Sequence, residues 1–244
     1  RNWGGVERIS CDVTGLAVHP NRATLARVKQ GSMNAGSLSQ FDEMHEPDGS
    51  VREAYREYSA WLSEQDVGWL RRKGSEAESV FRRTGITFNV YGSEAAEERL
   101  IPFDMVPRIV TGAEWRRLSR GIEQRVRALN AFMHDLYHRQ EIIRSGRLPE
   151  RMFRNNKAWL PQMVGFTPPG GVYTHVVGID LVRTGPDEFM VLEDNARTPS
   201  GVSYVLSNRR AMAQGFPELF ADRPVRRVGE YPGRLLAALQ AAAP

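Results

Sequence analysis

Two strand-forming stretches, Tyr173–Arg183 and Glu188–Asn195, flank the turn-forming residues Thr184-Gly185-Pro186-Asp187. Branched and aromatic side chains favour extended backbone, and Gly-Pro-Asp is chain-reversal chemistry, so the pattern predicts an antiparallel hairpin. Pairing fixes which residues share a face. If Arg183 faces Glu188 across the loop, Asp180 lies opposite Val191. Side chains alternate along a strand, so Val191, Glu193 and Asn195 then share a face with Asp180. Glu193 sits diagonally from Asp180, about 7–8 Å away between backbones. Two carboxylates and an amide oxygen converge there. Hard oxygen donors of this kind suit Mg2+ held jointly with substrate phosphates. A one-residue slip would turn Glu193 to the other face. Acids at a strand end also commonly face water or cap the next helix, and Asp194-Asn195 suits a turn. On the local pattern both readings stand.

The residues after the hairpin point the same way. Thr198-Pro199-Ser200-Gly201 is a tight polar loop directly before a helical stretch, with Arg197 beside it. Backbone N–H groups and a helix N-terminus can hold an anion there, and a substrate carboxylate suits the place. An ordinary turn with Ser200 as a helix cap fits equally well.

The remaining chain reads as mixed α and β. Residues 1–40 are rich in Gly, Ser, Asn and Thr with weak periodicity, and are expected to form a loosely ordered extension. Helices are expected at about Arg52–Gln65 and Ser75–Arg83, then a half-buried strand over Ile86–Tyr91 ending at Gly92. Two extended pieces are expected around Pro102 and Pro107. The strongest helix is expected from about Ala113 to Ile143, where Leu118, Ile122, Val126, Leu129, Met133 and Leu136 recur three or four apart. Residues 149–172 read as mixed structure closing in a Pro168–Gly171 turn. Helix returns at about Tyr204–Gln214 and Leu235–Ala243.

Composition narrows the function. The net charge is +4, from 33 basic and 29 acidic residues, but the two signs are interspersed. Nucleic-acid binding is therefore not expected. No run of about 18 apolar residues suggests a membrane helix. Arg1–Gly5 has no apolar core behind it, and Cys11 is the single cysteine, so a reducing, cytoplasmic setting is expected. A chain starting at Arg reads as processed or as a fragment. Cys11 has no evident base partner. His134 and His138 mimic zinc-protease spacing, but a solvated helix face is the better reading. Asp104 and Glu114 offer the two acids of a glycosidase pair, but nothing in the sequence fixes their separation.

The hairpin segments Gly178–Arg183 and Val191–Tyr204 resemble the circularly permuted ATP-grasp family, type 2. So do Phe41-Asp42-Glu43-Met44, Gly85–Gly92, Pro102–Arg108 and Gln124–Asn130. The resemblance runs over about residues 41–240, its motifs in order. It implies an α+β class, a partial ATP-grasp fold with an antiparallel hairpin packed by helices. As in glutathionylspermidine synthetase-like relatives, Asp180, Glu193 and Asn195 would ligate the Mg2+ of ATP. Arg183 would be the catalytic cation at the phosphate, although the expected register puts it on the face away from Asp180 unless a bulge or twist intervenes. Arg197, Ser200 and Gly201 would face the substrate. The implied activity is an ATP-dependent carboxylate–amine ligase working through an acyl phosphate on amino-acid or peptide-like substrates. The alternative is a non-catalytic binding or scaffold protein with a degenerate ATP-grasp fold. In a permuted member the nucleotide-holding lysines and glycine-rich loop follow the Glu-x-Asn element, and no Gly-x-x-x-x-Gly-Lys-[Ser/Thr] occurs here. Residues 41–244 are thus expected to form the N-terminal portion of the domain, carrying metal and substrate but not the nucleotide lobe.

Overall fold

The computed structural model describes residues 41–83, 85, 87–89, 98–100, 104, 106–199, 201–221 and 223–243. The expectations for residues 1–40, for the ends of the Ile86–Tyr91 strand and for the Pro102 region lie outside them. The class is mixed α and β, as the motifs implied.

A short 3-10 turn at Glu53–Tyr55 leads into α1 (Arg56–Ser63), close to the expected helix. Helix α2 spans Val67–Arg83, starting eight residues before the expected Ser75. Its N-terminal signal is Asp66, whose carboxylate accepts the Trp69 N–H at 3.0 Å, and Gly74 passes inside the helix without breaking it. Leu70, Ala77 and Phe81 are its buried stripe. Strand β1 (Thr87–Asn89) lies within the expected Ile86–Tyr91 strand and pairs antiparallel with β2 (Glu98–Leu100), a pairing that no sequence signal announced.

Helix α3 (Gly112–Tyr137) is the long helix the periodicity predicted, but it ends earlier. It opens with a reciprocal cap: Glu114 N–H donates to the Thr111 hydroxyl, and Thr111 N–H to the Glu114 carboxylate. The backbone leaves the helical region at His138, φ −125° and ψ −91°, and Gln140 beyond it is left-handed, φ 56°. Chain direction then resumes in α4 (Glu141–Arg144), a separate turn. The 149–172 region holds α5 (Arg151–Arg154) and two 3-10 turns, one of them at Pro169–Gly171. Strands β3 (Gly178–Arg183) and β4 (Phe189–Asn195) form the second two-stranded sheet. Helices α6 (Val202–Gly215), α7 (Glu218–Ala221) and α8 (Tyr231–Ala242) close the chain.

The main core joins distant segments. Tyr55, Tyr58, Met212, Phe216 and Leu219 are buried together, with Trp61 and Trp69 packed on them. Both indoles meet the Phe216 ring edge-on, at 5.7 and 5.9 Å. The Tyr55 hydroxyl accepts the Ile109 N–H at 2.9 Å and draws the approach to α3 onto this core. A second aromatic cluster stacks Tyr137 on Trp159 at 4.5 Å, with Phe153 against the indole. Among the described residues, no helix is long and apolar enough to cross a membrane.

Candidate functional site

The hairpin exists, but its register differs from the expected one at two places. Arg183 pairs with Phe189, not Glu188, so the connecting loop has one residue more. A bulge then intervenes: Leu181 pairs with Val191 and Asp180 with Glu193, leaving Leu192 as the extra residue of β4. Each shift alone would have reversed the face of Glu193. Together they amount to two residues and restore it. Val191 is the residue that pays for the difference, lying on the face away from Glu193 and Asn195 instead of sharing theirs.

Asp180, Glu193 and Asn195 therefore share the exposed face of the hairpin. Asp180 is directly opposite Glu193, closer than the expected diagonal, and Asn195 is opposite Gly178. The Asn195 amide donates to Glu193 Oε1 at 2.8 Å. Partial burial holds the Asp180 carboxyl above its ordinary value, and the Glu193 charge and a hydrogen bond with Glu193 add to this. Two carboxylates that face each other across the paired strands are chemically suited to a divalent cation. A half-turn of the Asn195 amide would add its oxygen as a third hard donor. Among the described residues, no group of three or more His, Cys, Asp or Glu side chains is placed to hold a metal. Asp180, Glu193 and Asn195 would offer a cation an open set of oxygen donors and not a closed protein cage.

The structure does not bring Arg183 to this face. Its guanidinium lies behind the hairpin, with only 7% of the side chain exposed. It donates to Glu114 Oε1 and to the Pro186 carbonyl, each at 2.6 Å, and to the Gly185 carbonyl at 3.2 Å. Glu43 adds a charge at 3.5 Å, and the Phe41 and Phe189 rings flank the group. The bulge is on β4, so alternation along β3 still separates Arg183 from Asp180.

Of the residues expected at the substrate, Arg197 is exposed beyond the end of β4. Gly201 stands immediately before α6 with φ 110°, a conformation that favours glycine. Ser200 lies outside the described residues. Gly178 was not anticipated. A Cβ there would stand 3.1 Å from the Pro199 Cβ and 3.5 Å from that of Asn195, so its bare backbone lets the 196–199 segment fold against the hairpin.

Helix α3 supplies most of what sequence reasoning missed. Arg125 forks onto Asp194, Nε and Nη2 donating to the two carboxylate oxygens at 2.7 and 2.6 Å. The Arg125 hydrogen bond is the largest influence holding the Asp194 carboxyl below its ordinary range. The Asn130 side-chain oxygen accepts the Tyr173 and Thr174 N–H groups at 2.7 and 3.2 Å, steering the chain into β3. The available signal was the placement of Glu114 and Arg125 about three helical turns apart, on one stripe. The other acids and histidines have local roles. Glu114 belongs to the α3 cap, and Asp104 accepts the Val106 N–H at 2.9 Å. His134 and His138 stack at 4.1 Å, and each bonds a neighbouring hydroxyl, Tyr173 or Thr167.

The family described as circularly permuted ATP-grasp type 2 matches residues 107–244, more than half of the chain. This chain belongs to that family. It is 46% identical over 200 residues to an uncharacterized protein of Mycobacterium tuberculosis (strain ATCC 25618 / H37Rv), a match covering 82% of this chain and 36% of that protein. An uncharacterized protein of Synechocystis sp. (strain ATCC 27184 / PCC 6803 / Kazusa) is 39% identical over 204 residues, covering 84% and 42%. A protein of Frankia casuarinae with the provisional name glutamate–cysteine ligase 2-2 is 37% identical over 204 residues, covering 84% and 23%. The chain therefore spans well under half the length of these relatives.

Proposed function

We propose that this chain supplies the cation- and substrate-holding part of an ATP-dependent carboxylate–amine ligase. The observation that carries the reading is the direct opposition of Asp180 and Glu193 on an exposed face, with Asn195 beside them. Asp180, Glu193 and Asn195 would hold Mg2+, which supplies charge neutralisation at the phosphates of ATP. In the reaction, a substrate carboxylate oxygen attacks the γ-phosphorus of ATP, ADP leaves, and an acyl phosphate forms. The amine then attacks the acyl carbon, and inorganic phosphate leaves with formation of the amide. The chain's own contribution is positioning. Arg197 and Gly201, in the segment that leads into α6, suit the substrate carboxylate, and the sequence motif adds Ser200 to them. The provisional name of the Frankia relative, which joins two amino acids, supports amino-acid or peptide-like substrates. Arg183 would reach a phosphate only by leaving Glu114.

The test is ADP release by the full-length protein carrying this segment, given Mg-ATP and paired panels of amino-acid carboxylates and amines. ADP release that depends on both donors and falls at least about 100-fold in Glu193→Ala is the expected result. Undiminished turnover in that variant would overturn the cation assignment. Binding of Mg-ATP with no ADP from any donor pair would favour the non-catalytic alternative.

A further inference from the structure

We infer that Arg125 and Asp194 are positioning residues, whose bidentate pair holds β4 in the bulged register that sets Glu193 against Asp180. The inference rests on the cation-site reading above and deepens it. Asp194 lies between Glu193 and Asn195, so alternation sends its side chain to the opposite face of the hairpin. There both of its oxygens are held by the Arg125 fork. A fork of two parallel bonds fixes the rotation of the strand at that residue as well as its position. The two neighbours of Asp194 are thereby aimed at the oxygen face.

The two clamps bracket the bulge. Glu114, which grips Arg183, and Arg125, which grips Asp194, are about 16 Å apart along α3. Phe189, the partner of Arg183, and Asp194, the partner of Ile179, are five residues apart on β4 but bracket only four on β3, about 13–14 Å of paired strand. Helix and strand thus run side by side, pinned near both ends. Leu192 lies between the pins, and there β4 takes up its extra residue. Charge order sets the direction. Glu114, Arg117 and Arg125 read minus, plus, plus along the helix, and their partners Arg183, Asp187 and Asp194 read plus, minus, minus. A reversed helix would set like charges together. Without the Arg125 clamp the bulge is free to move, and one residue of slip sends Glu193 to the helix side.

Mn2+ titration of the 244-residue chain, followed by the paramagnetic resonance of the free ion, reads the oxygen face. Amide hydrogen exchange over 189–195 reads the register. Asp194→Asn and Arg125→Gln should each weaken Mn2+ binding about tenfold or more, as loss of a residue supporting metal ligands does. Each should speed exchange over 189–195 and leave that of α6 at the parental rate, which separates a shifted register from general unfolding. The charge-exchanged variant Arg125→Asp/Asp194→Arg should recover most of the affinity, a recovery that mere bulk at these sites would not produce. Arg117→Gln, at the more exposed pair with Asp187, should change neither readout. Parental Mn2+ affinity in both single variants overturns the inference, and so does a loss that the exchanged pair fails to recover. The cation reading fails separately, if the parent takes up no Mn2+ or Glu193→Ala binds it equally well. Exchange over 189–195 then decides alone, and parental rates in both single variants overturn the positioning role.

Discussion

Asp135 shows how one side chain ends a helix whose apolar pattern would have continued. Its carboxylate accepts the Glu141 and Ile142 N–H groups at 2.9 and 3.0 Å, and its carbonyl accepts the Gln140 N–H at 2.7 Å. These bonds curl the chain back on the last turn of α3, in competition with the helical ladder. The Ile142 bond is the largest influence on the Asp135 carboxyl, which is held below its ordinary value of 3.8. A depressed folded-state pKa stabilises the fold above the unfolded value, and the contribution is lost as pH falls through the folded one. Asp135→Ala is therefore expected to cost about 1 kcal/mol at pH 7, as loss of a capping acid does. The gap to the parent should close as pH drops below 3.8. Urea unfolding at neutral and acid pH checks this, and a gap that persists in acid would exclude the ionised carboxylate as its source.

At the scale of the element, the N-terminus of α3 does two jobs with one residue. Glu114 completes the cap through Oε2 and holds Arg183 through Oε1. Thr111→Ala removes only the cap and should cost about 1 kcal/mol. Glu114→Gln leaves Arg183, 7% exposed, without its nearest charge. Loss of one partner from a buried pair costs about 3–5 kcal/mol, and Glu43, still 3.5 Å away, should reduce this to about 2–3 kcal/mol. Urea midpoints at unchanged slope test the order, and equal losses would mean that Arg183 is not held by charge. The same residues mark the reach of sequence reasoning. The 3.6-residue period of α3 and the alternation of β3 and β4 are local, so both elements were legible. The end of α3 was not, because Ile142 and Ile143 keep the apolar period past the break that Asp135 and Gln140 make. Nor was the hairpin register, which depends on a bulge and on helix residues 69 positions away. The oxygen face follows correctly even from a register that is off by two residues, because two single shifts preserve parity.

For the molecule as a whole, burial separates apolar residues that look alike in sequence. Phe216 is 1% exposed and Leu192 is 73% exposed. Phe216 stands where the C-terminal end of α6 meets the Tyr58, Trp61 and Trp69 region, so it closes the core between segments far apart in the chain. Phe216→Ala leaves a ring-sized void that the surrounding rings can fill only in part, and a cost of about 3–5 kcal/mol is expected. That is a large share of the roughly 5–15 kcal/mol typical of a folded domain, so the midpoint should fall for every probe at once. Leu192, the bulged residue, has its side chain largely in water, and Leu192→Ser should change stability by no more than about 0.5 kcal/mol. Thermal unfolding followed by tryptophan fluorescence and by far-ultraviolet circular dichroism checks both. Coincident, downshifted transitions for Phe216→Ala, with Leu192→Ser near the parent, would place the stability of this chain in the joined helices and leave the oxygen face of the hairpin as a surface they support. A Phe216→Ala protein that lost only its fluorescence transition would instead show that the aromatic cluster melts by itself, with α3 and the hairpin folding as a separate unit.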